Sequence, residues 1–482
     1  MNIQTHIARL AKESAVYSIS GALSGIAMIF LVPIYTRSFS VAEYGIYSLL
    51  LLLGGMLTMF SVLALDSAAS RWFFDDEDKR HQQSTISSWF WCQAVCSTVL
   101  ALLLCCFISP LSRWLSDNCQ QVRLPLLLVA ATIPASTVHI IFSCWLRYRR
   151  RAVLAVFTAV LQLALSLGLT FWLVLVRRMG LTGVFTANLA TVIVLSSIGG
   201  IVMRHYLSPG KFSFRLLKEM LHYSLPLIPA ALCLWIMVNM DRFMLKFYIG
   251  DREVGLYSVA STIALSVGLL TTAFSQAWGP FAFSIMNTAE AKSVYAKVND
   301  YYMFLGCIAG TGVALLAPLL LRIFATEEYY SVAGITGILC FGTLLNGSRY
   351  VAALGCSIAK RSVPNAVSIM IGAGVNLVLN MLLIPLFGIS GAAWATVIAW
   401  LSSVFYLYAA SQKCYYIPYR WKSAIYSVLL AAGLISVNYF IWGGSCTVPG
   451  VLLRLSSLLL FIPLGVILGL VPNMHKRLIL KQ

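Results

Sequence analysis

Fourteen runs of about twenty apolar residues, joined by short polar connections, limit what this chain can fold into more than any other feature. A hydrocarbon core about 30 Å thick takes roughly 20 residues of helix to cross. Lipid offers no partner to an unpaired backbone amide, so such runs cross as helices. They fall near 15–36, 46–66, 86–109, 124–143, 154–176, 184–203, 219–240, 255–278, 301–321, 331–354, 364–386, 391–410, 423–443 and 450–471. The expected fold class is all-α and integral to the membrane, with about 14 transmembrane helices. Composition agrees: 60% of the 482 residues are hydrophobic and 10% charged, against about 45–50% and about 25% in a soluble domain. A soluble enzyme is excluded. The net charge of +18 would suggest nucleic acid on a soluble protein. Here the basic residues form short clusters between apolar runs, with no basic domain, so no nucleic-acid partner is expected. Most of the twelve cysteines lie inside apolar runs and read as small hydrophobes rather than a disulfide framework.

Orientation follows from the placement of Lys and Arg. With the N-terminus cytoplasmic, 23 basic residues fall in inside segments and 9 in outside loops. Both termini are therefore expected in the cytoplasm, as an even number of spans requires. Residues 1–14 are too polar for a signal peptide and read as a cytoplasmic segment with the character of an interfacial amphipathic helix. No connection is long enough to form a folded domain, which puts the work of the protein inside the bilayer.

The chain is largely built twice. Glu43-Tyr44-Gly45-Ile46-Tyr47-Ser48 recurs as Glu253-Val254-Gly255-Leu256-Tyr257-Ser258, and Arg150-Arg151 as Lys360-Arg361, both at an offset of 210. Gly180-Leu181-Thr182-Gly183 recurs as Gly388-Ile389-Ser390-Gly391 at an offset of 208. Each offset spans six runs, an even number, so the halves are parallel and related by an axis along the membrane normal, a plan found in secondary transporters. The expected organisation is a segment 1–14, an N-terminal bundle 15–210, a C-terminal bundle 211–410, and spans 13 and 14 with a cytoplasmic tail over 411–482.

Several stretches resemble the polysaccharide-transport branch of the multidrug/oligosaccharidyl-lipid/polysaccharide flippase superfamily, which contains the O-antigen flippases. They are Val32-Pro33-Ile34-Tyr35-Thr36-Arg37 leading to Glu43-Tyr44-Gly45; Tyr223-Ser224-Leu225-Pro226-Leu227-Ile228-Pro229; Asn239-Met240-Asp241-Arg242-Phe243; Gln276-Ala277-Trp278-Gly279-Pro280-Phe281; and Asn376 through Asn380, then Ile384-Pro385 to Gly388-Ile389-Ser390-Gly391-Ala392-Ala393. Together they cover roughly residues 15–410. The resemblance implies two six-helix bundles around a central cavity, with spans 13 and 14 peripheral. It implies a transporter rather than an enzyme, without a cofactor, in a bacterial inner membrane. The implied substrate is a polyprenyl-pyrophosphate-linked oligosaccharide flipped from cytoplasmic to periplasmic leaflet. Membrane lipids, the polysaccharide polymerase and the chain-length machinery are the implied partners.

Such a cargo needs cations for its phosphates and polar groups for its sugars, and an unpaired charge inside a span costs at least about 2.5–3.5 kcal/mol. Arg349 is the deepest basic candidate, with Asn346 one turn before it. Arg37 is a candidate to receive the pyrophosphate on the exit side, or else an interface anchor beside Glu43. Asp241-Arg242 with Lys246 ends span 7, and Asp66 ends span 2. Each acid is a proton-coupling candidate, and each is also readable as half of an interfacial ion pair, Asp241 with Arg242 or Lys246. Gln162, Asn188, Asn239, Gln276, Asn376 and Asn380 are candidate sugar contacts or interhelical hydrogen-bonding groups. Arg454 reads as a structural residue that snorkels. Gly21-x-x-x-Gly25 and Gly306-x-x-x-Gly310 read as close packing, and Pro226 with Pro229 as a hinge. No spacing of His and Cys suggests a metal site. A cation-coupled multidrug exporter, a lipid II flippase and a membrane glycosyltransferase are the competing readings. Span 1 lacks an acid, it lacks the basic residues expected of a lipid II flippase, and no loop is large enough for a catalytic domain.

Overall fold

The computed structural model describes residues 29–442, apart from Glu77 and Asp117, and residues 447–470. The segment 1–14, most of the first span, Gly21-x-x-x-Gly25 and the tail beyond 470 lie outside the described residues.

The described chain is helical throughout, with no strand among the described residues. Residues 29–38 (α1) are followed by α2 (Val41–Val62), α3 (Leu65–Asp75), α4 (Lys79–Cys106), α5 (Ile108–Leu115), α6 (Cys119–Tyr148), α7 (Ala152–Thr170), α8 (Gly180–Val202) and α9 (Phe214–Ser224). Then come α10 (Ile228–Tyr248), α11 (Asp251–Ser284), α12 (Ala291–Phe324), α13 (Ala333–Ala352), α14 (Leu354–Ile358), α15 (Val363–Cys414), α16 (Trp421–Trp442) and α17 (Val448–Ile467). Twelve stretches among the described residues are long and apolar enough to cross a membrane. One of them, α15, has 52 residues and breaks at Gly388, where φ is 57° and ψ is −134°; unbroken it would run about 78 Å. It is two spans. With the first run, of which α1 is the described end, the count reaches the fourteen expected.

Two compact units emerge from the contacts. Ser38–Trp235 forms the first, and the described residues from Ile236 onward form the second together with residues 29–37 of α1. Thr36 Oγ1 donates to Phe324 O at 3.2 Å, tying α1 to α12. In the first unit α6 packs on α8, α4 and α2. A core of Leu65, Phe73, Ile86, Trp89, Phe142 and Trp145 gathers α3, α4 and α6 at one end. In the second, α13 lies against α11, α12 and α15, while α16 and α17 pack chiefly on α12 and on each other. Gly306 sits so tightly against Leu344 that an added Cβ would collide with it, as the small-residue spacing predicts. Outside these cores large apolar side chains face outward, among them Val153, Phe157, Phe405 and Phe440. Hydrocarbon is the medium in which such a surface is stable.

The internal repeat is written in the backbone as well. Arg150 and Lys360, at matching positions, both take positive φ, 52° and 57°. In each case the next amide, Arg151 N or Arg361 N, donates to the carbonyl five residues back, Leu146 O or Cys356 O, at 2.9 and 2.8 Å. Both are αL caps that satisfy the last carbonyls of a helix. Gly180 and Gly388 match in the same way, with φ of 58° and 57°. Three residues on, Gly183 would place a Cβ 3.2 Å from Leu173 O, and Gly391 would place one against Leu383 O. A left-handed turn followed by a close helix crossing explains why Gly-x-x-Gly recurs.

Candidate functional site

Most of the sequence-derived candidates fall in the second unit. Asp241, in α10, is 3% exposed. Its Oδ2 accepts from the Tyr257 hydroxyl of α11 and from Thr396 Oγ1 of α15 at 3.5 Å, and its Oδ1 accepts from the Arg242 backbone N–H at 2.9 Å. One carboxylate thereby joins three helices. It makes no ion pair with either cation named for that role. Lys246 donates to Asp251 Oδ2 at 2.6 Å instead, because Asp251 opens α11 directly after the turn at Gly250. The Arg242 guanidinium lies 5.8 Å from the centre of the Tyr257 ring, and its Nε has no hydrogen-bond partner among the described residues.

Arg349 is held in a similar way. It sits in the last turn of α13, half-buried, with Nη2 donating to Asn365 Oδ1 at 3.0 Å and its guanidinium carbon 5.7 Å from the centre of Trp400. Its Nε too lacks a partner among the described residues. Asn346, one turn earlier, is half-buried. Successive spans reverse direction, so the C-terminal ends of α10 and α13, three helices apart, lie toward opposite membrane faces. Arg242 and Arg349 therefore stand at opposite ends of one unit.

The amides divide. Asn376 and Asn380 are fully buried on one face of α15, where Asn380 Nδ2 donates to Asn376 Oδ1 at 3.0 Å. That is the helix-internal use of such residues. Asn376 Nδ2 and Asn380 Oδ1 have no partner among the described residues. Asn239 and Gln276 are half-buried in α10 and α11. Asn188, in α8 of the first unit, lines an internal cavity of about 130 Å³ with Gly54, Gly55 and Thr132. Gln162 is exposed on α7.

Asp66 is half-buried in the first turn of α3, just after Leu63 and Ala64 turn the chain with φ of 52° and 53°; its carbonyl accepts from Tyr148 Oη at 2.9 Å. Arg37 is exposed at the end of α1. Glu43 is not its partner: the Glu43 carboxylate accepts from Ser40 N at 2.9 Å and caps α2. Pro226 lies in a 3₁₀ turn, Leu225–Leu227, and Pro229 in the first turn of α10, so the hydrogen-bonding pattern changes between α9 and α10 while Leu225 and Ile228 keep right-handed helical dihedrals. Arg454 does not snorkel. It is 3% exposed and lines a small cavity with Asn438, Tyr439 and Pro318.

Sequence reasoning passed over a buried acid. Asp300 of α12 is 1% exposed, and Arg420 Nη1 approaches its Oδ2 at 3.7 Å. Next to it, Asn299 Oδ1 accepts from Tyr408 Oη at 2.6 Å. A single Asp near the end of an apolar run carries no local signal of a partner 120 residues away.

Among solved structures, the fold is similar to the lipid II flippase MurJ in an inward closed conformation, with a TM-score of 0.74 and 16% identity over 93% of this chain and 98% of that one. It is also similar to the inward-facing conformation of a multidrug resistance MATE family transporter of the MOP superfamily, with a TM-score of 0.66 and 13% identity over 81% and 94% of the two chains. At these identities the likeness is one of fold. In sequence, the probable flippase AglR of Haloferax volcanii is 27% identical over 248 residues, 45% of this chain. The matched stretch spans 50% of that relative's length. A family profile described as polysaccharide biosynthesis protein matches residues 10–286, more than half of the chain, and the chain therefore belongs to the polysaccharide biosynthesis protein family.

Proposed function

We propose that this protein is a flippase for polyprenyl-pyrophosphate-linked oligosaccharide repeat units of a surface polysaccharide such as O-antigen. It moves them from the cytoplasmic to the periplasmic leaflet of a bacterial inner membrane, with both of its termini cytoplasmic. It works by alternating access, with the 3₁₀ turn at Pro226 and the adjoining Pro229 as the hinge. The observation that carries this reading is the pair of guanidinium groups at opposite ends of the second unit. Arg242 and Arg349 rest on aromatic rings, and neither has a carboxylate partner among the described residues. A cation–π contact stabilises a partly desolvated guanidinium without neutralising it, and its in-plane donors stay available to a phosphate. An anionic headgroup is met by a cation on loading and again on release. Asn188, Asn239, Gln276 and Asn346 supply the sugar contacts, and Arg37 adds positive charge on the exit side, while Asn376 with Asn380 and Lys246 with Asp251 pair with one another.

A proton-coupled cycle is favoured by Asp241, which is held by Tyr257 and Thr396 rather than by an ion pair. A carboxylate bound by hydrogen bonds alone can gain and lose a proton without leaving a buried cation stranded. Asp66 is the second coupling candidate.

The test uses the full chain in vesicles, with a fluorescent polyprenyl-pyrophosphate oligosaccharide loaded on one leaflet and an impermeant quencher added outside. Wild-type protein brings the probe to the other leaflet. Arg349→Ala slows this about tenfold, the rate equivalent of roughly 1.4 kcal/mol, and Asp241→Asn removes its response to an imposed proton gradient. Wild-type protein that moves no probe, or drug resistance in cells with unaltered glycan, overturns the reading in favour of an exporter.

A further inference from the structure

A cleft of about 960 Å³ opens between α3 and α9, wholly within the first unit. Its wall carries two cations, Arg71 and Lys218, two aromatic rings, Trp72 and Tyr223, and two exposed apolar side chains, Phe214 and Leu225. Arg71 is fixed in place. Its guanidinium carbon lies 5.8 Å from the centre of Trp72 and 5.4 Å from that of Tyr223, and the two rings meet edge to face at 5.6 Å. The elements that carry it are anchored underneath by buried Phe73, Leu217 and Met220. Glu219, the acid of the wall, is taken up by Arg215 at 3.4 Å. Among the described residues no carboxylate pairs with Arg71 or Lys218. The site therefore presents uncompensated positive charge, preorganised on aromatic faces, beside an apolar wall that water does not favour.

Those features match one kind of ligand: an amphipathic anion with a phosphate head and a hydrocarbon tail. We propose that this cleft is a loading site for the prenyl pyrophosphate of the carrier lipid, set apart from Arg242 and Arg349. Arg71 and Lys218 take the pyrophosphate oxygens, and the first isoprene units lie along Phe214 and Leu225. The proposal rests on the flippase reading above. Pro226 also lines the cleft, so an occupant touches the turn that joins α9 to α10 and is placed to bias it.

Full-length protein in phosphatidylcholine nanodiscs is titrated with geranylgeranyl pyrophosphate. Arg71→Gln and Lys218→Gln each weaken binding about tenfold, as expected for one charge-assisted contact, whereas Arg71→Lys recovers part of the loss. Leu225→Asn weakens geranylgeranyl pyrophosphate and leaves inorganic pyrophosphate unchanged. Lys218 is exposed and holds no partner among the described residues, so its variant carries the test even where Arg71→Gln fails to fold. Wild-type affinity in both Gln variants overturns the proposal. So does phosphatidylglycerol that displaces the probe at equal concentration, which would make the cleft a general anionic-lipid surface. Translocation by wild-type protein in vesicles separates the two levels: transport with unaffected Gln variants sinks the site alone, and no binding together with no transport sinks the flippase reading too.

Discussion

Asp300 is the residue at which charge bears most directly on stability. It is 1% exposed, and Arg420, half of whose side chain meets solvent, is the cation that faces it at 3.7 Å. Arg420 Nη2 also donates to Gly469 O at 3.1 Å, so the same guanidinium ties the end of α17 to α12. Removing one partner of a buried pair costs more than removing both, because the survivor is left desolvated and uncompensated. Arg420→Ala is expected to destabilise the protein by about 2 kcal/mol, a value lowered from the fully buried case because Arg420 is half exposed. Adding Asp300→Asn in the same molecule should recover more than half of that loss, read by thermal unfolding in detergent. Equal melting of the single variant and wild type would show the pair to be inert. Asp241 contrasts with it. Its cationic sequence neighbours suggested an ion pair, yet Lys246 turns to Asp251 and the carboxylate is held by hydroxyls from helices 16 and 155 residues away. Nearness in sequence identified the charged residues and misassigned their partners.

At the level of elements, the spans were legible because length and apolarity are properties of a contiguous run. Their ends were not. The Asp251–Ser284 and Ala291–Phe324 helices each have 34 residues, whereas the runs within them span 255–278 and 301–321. Past the hydrocarbon a helix continues on tertiary packing, as where Tyr295 Oη donates to Ala282 O at 2.6 Å, and hydropathy carries no record of such contacts. Breaks inside a helix are legible when glycine marks them. The backbone at Gly388 (φ 57°, ψ −134°) is essentially closed to a residue with a Cβ. Gly388→Ala should therefore cost about 1–3 kcal/mol, seen as a lower melting temperature. Ala at Gly374, where an added Cβ meets nothing within 4 Å, should leave melting unchanged or raised. A Gly388→Ala protein as stable as wild type would mean that α10 and α15 do not need this turn to keep Thr396 near Asp241.

Across the whole molecule the repeat sets what the halves share and where they differ. The offsets that superpose the caps pair Asp241 with Leu31, Tyr257 with Tyr47, and Thr396 with Asn188. The duplicated framework thus carries an acid in one copy alone, and the buried carboxylate node belongs to the second unit. Charge placement over the molecule follows from alternation: one crossing separates each connection from the next, so the connections that hold Arg147 to Arg151, Arg204 to Lys218, and Lys360 with Arg361 all open on one face. The connection at Arg177 and Arg178, between the π-helical turn Phe171–Val176 and α8, opens on the other. With the denser cluster held inside by its cost of translocation, Gly210→Cys should be cytoplasmic and Arg178→Cys periplasmic. Intact cells treated with a membrane-impermeant maleimide, followed by peptide mass spectrometry, should show Arg178→Cys modified at once and Gly210→Cys modified only after permeabilisation. The reverse pattern would invert the molecule, put Arg349 rather than Arg242 on the exit side, and turn the proposed direction of transport around.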